Sequence, residues 1–133
     1  MAYEISAYSI KISAEASADY SALSNQYTFV KLNSTGQAVV CSAATDVPVG
    51  VMQNNPKSGQ EAEIIVSGGT KIKASAAISV GTAIGTTSSG TAVGLTPATA
   101  NTAYAVGQPL TPAGASGDVF TAVINCAAPN RAA

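Results

Sequence analysis

The stretch Glu61-Ala62-Glu63-Ile64-Ile65-Val66-Ser67-Gly68-Gly69-Thr70-Lys71-Ile72-Lys73-Ala74 decides the fold class. Apolar and charged residues alternate on both sides of the glycine pair, which is the period of a half-buried strand and not of a helix. Parity then selects a connection. A two-residue Gly68-Gly69 turn would set Ile64 against Lys73 and Val66 against Lys71, mixing core and solvent faces. A three-residue loop of Gly68, Gly69 and Thr70 sets Val66 against Ile72 and Ile64 against Ala74. It also collects Lys71 and Lys73 on the face of Glu61 and Glu63, with Glu63 diagonal to Lys73. The stretch is therefore expected to be a hairpin.

Working outward, turn-forming residues recur about every ten positions and no 3.6-residue period survives a long window. An earlier hairpin is expected between Tyr27-Thr28-Phe29-Val30-Lys31-Leu32 and Gln37-Ala38-Val39-Val40-Cys41, joined by Asn33-Ser34-Thr35-Gly36. A strand around Val49-Gly50-Val51-Met52 precedes the Pro/Gly loop at 54–59. An internal echo appears: Val49-Gly50, Pro56, Gly59 and the strand to Val66 recur as Val106-Gly107, Pro112, Gly117 and the strand Asp118–Ile124. Between the copies, 74–102 is rich in Ala, Ser, Thr and Gly, with Val80-Gly81, Ile84-Gly85 and Val93-Gly94 marking short edge strands. These signals predict an all-β chain: a small β-barrel or sandwich of short strands with pseudo-symmetric halves.

The expected organisation is an N-terminal arm at 1–26, one domain at 27–126 and a mobile tail at 127–133. In the arm, Tyr3, Ile5, Tyr8, Ile10 and Ile12 place apolar groups on both faces of an extended segment that has no local partner. Such an edge calls for a strand outside the subunit, on a partner protein or a neighbouring copy. These five residues are the candidate partner-binding site.

Composition narrows the function. Of 133 residues 47% are hydrophobic, but Ala supplies 26 and Ile, Leu, Val, Met and Phe together only 29. A core of mostly small side chains leaves little surplus over a backbone ordering cost of about 1–2 kcal/mol per residue, so help from neighbouring subunits is expected. Six basic and seven acidic residues give a net charge of −1, with no basic cluster for nucleic acid. No apolar run reaches the ~20 residues of a membrane span. The start Met1-Ala2-Tyr3-Glu4 lacks the basic and apolar regions of a signal peptide, which predicts synthesis in the cytoplasm.

There is no His and no Trp. That removes the Ser-His-Asp and Cys-His arrangements and the commonest general base. Glu61 and Glu63 form the one obvious carboxylate pair, but i and i+2 on a strand share a face in any case, and the pair reads as a solvated face. Cys41 and Cys126 show no metal-ligand spacing. They read as small apolar residues on strands, with a disulfide between early and late strands as the alternative. No catalytic group, metal or cofactor is expected.

The order of segments resembles the small head-decoration, or capsid cement, proteins of tailed bacteriophages. The resemblance rests on 27–32, Gly36-Gln37-Ala38-Val39, Pro48-Val49-Gly50-Val51, Gly59 with Ala62-Glu63-Ile64, and 69–74. It continues through Gly90-Thr91-Ala92, Tyr104-Ala105-Val106-Gly107 and Gly117-Asp118. It implies a non-enzymatic virion protein that binds the major capsid protein on the outer surface of the head as a homotrimer and cements the shell. A tail-tube or fibre component and a secreted carbohydrate-binding or adhesive β-module are the alternatives. The lack of Trp for sugar stacking weighs against the last.

Overall fold

The structure is a computed structural model and describes residues 9–96 and 100–132. Its strands are β1 (Ile10–Glu15), β2 (Phe29–Leu32), β3 (Ala38–Val40), β4 (Gly50–Met52), β5 (Glu61–Lys73), β6 (Ala83–Thr86), β7 (Ala92–Leu95), β8 (Ala100–Ala105), β9 (Gly107–Pro109), β10 (Val119–Asn125) and β11 (Asn130–Ala132). A 3-10 turn at Leu23–Asn25 is the one helical element among the described residues. Nine strands form one curled sheet, and β8 with β11 forms a separate ribbon. The fold is all-β, as the alternation and turn spacing require.

The expected hairpin at Gly68-Gly69 does not form. β5 runs unbroken for 13 residues. Its first half pairs with β1, from Glu61–Glu15 to Ser67–Ile10, and with β4 through Val51–Ile65 and Met52–Ile64. Its second half pairs with β10, from Ser67–Asn125 to Lys73–Val119. Glu63 and Lys73 are thus not cross-strand neighbours but lie roughly 30 Å apart along one strand. The pattern could not separate the two outcomes. Ala62, Ile64, Val66, Thr70, Ile72 and Ala74 keep one parity whether the chain turns back or runs on. Gly68, at φ +109°, is a kink where Ser9 crosses: a Cβ there would stand 2.8 Å from the Ser9 Cα.

The pairings close into two rings that share β5. In the first, β1 pairs with β5, β5 with β4, β4 with β2 and β2 with β3; a parallel bridge between Ala16 and Ala38 completes the circuit. In the second, β5 pairs with β10, β10 with β9, β9 with β6 and β6 with β7, and Ala74 bridges Ala92 in the same sense. The correspondence extends to single hydrogen bonds. Ala16 donates to the Gln60 carbonyl as Ala74 does to that of Asp118, both at 2.8 Å; Tyr20 donates to Pro56 at 2.8 Å as Ile78 does to Ala113 at 3.0 Å. The hairpin turns carry Gly36 and Gly90, each at φ +81°. The chain is an internal duplication of about 10–67 as 68–125, and the sequence echo at 49–66 and 106–124 is one part of it.

Alternation within shared strands fills both rings. Val30, Ala38, Met52, Ala62 and Ile64 point into the first ring. Their chain neighbours Phe29, Val51 and Ile65 point out of its back, joining Ile72, Ile84, Phe120 and Ile124 of the second ring in the main core. The hydrogen bond from Phe29 N–H to the Gly90 carbonyl, 2.7 Å, ties the rings together at this seam. Two glycines make close packing possible at equivalent places. A Cβ on Gly50 would stand 2.3 Å from the Ile65 carbonyl oxygen, and one on Gly107 would stand 2.4 Å from that of Val123.

Cys41 and Cys126 lie just past the ends of β3 and β10, not within strands as expected, and both are buried free thiols in the main core. Burial pushes each up to about 12, which makes them inert apolar fillers. At the C-terminal end, Asn130–Ala132 is strand β11, paired with β8, and the Arg131 guanidinium lies 5.7 Å from the Tyr104 ring centre.

Candidate partner-binding surfaces

Of the five arm residues, Tyr3, Ile5 and Tyr8 lie outside the described residues. Ile10 and Ile12 lie on β1, which pairs with β5 of the same chain. Residues 10–12, expected to join a sheet outside the subunit, pair along one edge with β5 of their own chain. Ile12 packs against the first ring's core, while Ile10 remains 59% exposed. The Ser9 hydroxyl donates to the Gly69 carbonyl at 3.0 Å, so the chain is anchored from Ser9 onward.

Glu61 and Glu63 are exposed, as expected of a solvated face, and the Glu63 N–H donates to the Asn54 side-chain oxygen at 3.0 Å. The register partner of Glu61 is Glu15, whose carboxylate accepts from the Gln37 amide at 3.1 Å. The Lys73 ammonium donates to the Leu23 carbonyl at 2.9 Å. The clearest ion pair joins Lys31 to Asp46 at 2.9 Å. Partial burial alone would raise the Asp46 pKa, but Lys31 and the N–H groups of Ser42 and Ala43 outweigh it and hold the carboxyl below its ordinary value. Among the described residues, no cluster of His, Cys, Asp and Glu could hold a metal ion, no buried side-chain polar atom lacks a hydrogen bond, and no helix is long and apolar enough to cross a membrane.

Two surface grooves complete the picture. One, of about 500 Å³, lies where the β8–β11 ribbon meets β9 and β10, with Ala83, Ala105, Gln108, Val123 and Asn130 on its walls. The other, of about 450 Å³, is lined by Ser75, Ser89, Thr91, Ser116 and Lys73. The sequence reading passed over Val123, at 43% exposed, and Leu32, at 42%. A signal existed. Carried residue by residue, the echo aligns Val123 with the fully covered Ile65, so one copy exposes what the other buries.

The geometry defines a duplicated, two-ring β-fold. No family model and no curated protein matches the chain. Among solved structures, the N base of the head fiber protein gp8.5 of bacteriophage phi29 has the same fold. The TM-score is 0.64 at 19% identity, over 89% of this chain and 95% of that one.

Proposed function

We propose that this protein is a structural, non-enzymatic component of a tailed-phage virion, bound to the outer surface of the head. The observation that carries the reading is the likeness in fold to a head-fiber base over nearly the full length of both chains. The finer role is that of a cement: a homotrimer on the major capsid protein, gripping through the N-terminal residues Tyr3, Ile5 and Tyr8 together with the exposed Ile10. Three such arms raise one another's effective concentration, so modest contacts sum to a firm hold. Catalysis, nucleic acid and membrane have no part in this role. Synthesis in the host cytoplasm is consistent with two reduced, buried thiols.

A second reading has a specific observation in its favour, since the similar structure is a fiber base: the chain would then be a platform for a projecting fiber. Heads lacking the protein, with and without added full-length chain, separate the readings. A cement raises the temperature at which shells rupture and adds knobs of density. A fiber base adds density and leaves the rupture temperature unchanged. Failure to bind heads at all refutes both. Deleting residues 2–8 should leave a folded protein that dissociates from heads; undiminished retention would move the grip to the rings.

A further inference from the structure

The two rings match in backbone and differ in burial, and the differences fall on complementary surfaces. On the shared register, Phe29, Val51 and Ile65 at the back of the first ring correspond to Ala83, Gln108 and Val123 at the back of the second. The first three are at most 1% exposed, because the second ring packs on them. In the second set Gln108 is exposed and Val123 is 43% exposed, both on the wall of the 500 Å³ groove. The β8–β11 ribbon, through Ala103 and Ala105, covers the Ala83 and Leu95 end of that back and leaves Gln108 and Val123 exposed.

The ring interiors show the converse. Ile12, Tyr20, Val49 and Val66 of the first ring are half-buried, while their counterparts Thr70, Ile78, Val106 and Ile124 are buried. Leu32 is 42% exposed and its counterpart Thr86 only 2%. In the second ring, the back of the first closes the interior. Nothing among the described residues does the same for the first.

We infer that a second copy of this chain docks head to tail, the Val123 back of one copy closing the Leu32 mouth of the next. The occupant follows from the molecule itself: the contact between rings within one chain is the template for the contact between chains. Such a contact is heterologous, with different surfaces meeting, and repeats into a ring or a chain of subunits. The inference rests on the duplication and not on the surface that the protein decorates.

The test uses the full-length protein and two charge substitutions at exposed positions, Leu32→Glu and Val123→Glu, with circular dichroism to verify folding. In analytical ultracentrifugation over micromolar to submillimolar concentrations, the wild type should associate. Each variant alone should associate about tenfold more weakly or not at all. An equimolar mixture should form dimers and nothing larger, since mixing leaves one intact pair of faces. A wild type monomeric throughout, variants that associate like the wild type, or a mixture that stays monomeric would each overturn the inference. The second outcome would hand the mouth to residues 1–8 or to another partner. Should a glutamate variant not fold, Leu32→Cys and Val123→Cys with a short bis-maleimide serve instead. Cross-links between the two variants support the docking, and cross-links only within one variant refute it.

Discussion

Replacing Gly50 by Ala tests the duplicated architecture at one of its tightest points. The new Cβ would stand 2.3 Å from the Ile65 carbonyl oxygen and 2.5 Å from the Ile64 Cγ2. Carbon and oxygen need over 3 Å, so a strand must move by nearly 1 Å, and the nearest obstacle is backbone with no rotamer to yield. β4 lies between β2 and β5, with Gly50 facing Val30 and Val51 facing Ile65, so any shift loosens both ladders. Overpacking of this kind costs about 1–3 kcal/mol, and rigid neighbours on both sides place this site at about 3. At roughly 2.1 cal/mol/K per residue, a 133-residue chain loses about 3.6 °C of Tm per kcal/mol, giving a fall of about 10 °C. Gly107→Ala meets the Val123 carbonyl at 2.4 Å and should cost as much. By contrast, Gly36→Ala faces open space and pays only for its φ of +81°, about 1–2 kcal/mol. Differential scanning calorimetry of the three variants checks the ranking. A Gly50→Ala protein melting within 2 °C of wild type, or above Gly36→Ala, would refute the close strand approach and with it the equivalence of the two rings.

The thiols and the Lys31–Asp46 pair give two further expectations. With burial raising Cys41 and Cys126 to about 12, neither should react with Ellman's reagent in native protein at pH 8, and both should react in denaturant without reductant; fast native labelling would contradict their place in the core. Asp46 has a native pKa below its unfolded value of about 3.9. Its contribution is therefore complete above that value and disappears as pH falls through the lower native one. Urea midpoints at pH 7 and pH 3 should fall further for wild type than for Asp46→Asn, and equal falls would remove the pair from the acid response.

Much of the local structure was legible because it rests on local chemistry. The 27–41 hairpin formed with Val30 opposite Val40 and Leu32 opposite Ala38, its turn closed by Asn33 and Gly36. The Gly68-Gly69 error has a different origin. The same two glycines and the same parity serve a hairpin or a kinked strand, and the arbiters are β1 and β10, about 50 residues away on either side. Pairing at that distance leaves no mark on a window of fourteen residues. The β8–β11 pairing was hidden for the same reason: Asn130–Ala132 has little to bury, and its partner lies about 25 residues back along the chain.

The candidate site was legible only where exposure follows from alternation, as with Glu61 and Glu63, and illegible where it depends on which ring lies behind a strand. Ile65 and Val123 occupy equivalent places in equivalent strands, one 1% and the other 43% exposed, and hydrophobicity does not separate them. Position in the tandem does. Duplication also answers the thin core that composition suggested. Three strands of the first ring, β2, β4 and β5, are used on both faces, the pairs Phe29 and Val30, Val51 and Met52, Ile64 and Ile65 each serving two interiors. A small stock of large side chains thereby fills one ring and closes the next. A stack built this way has one ring with its mouth uncovered and another with its back uncovered. The unfilled surfaces are consequences of how the core is shared, and they lie where another subunit would continue the stack.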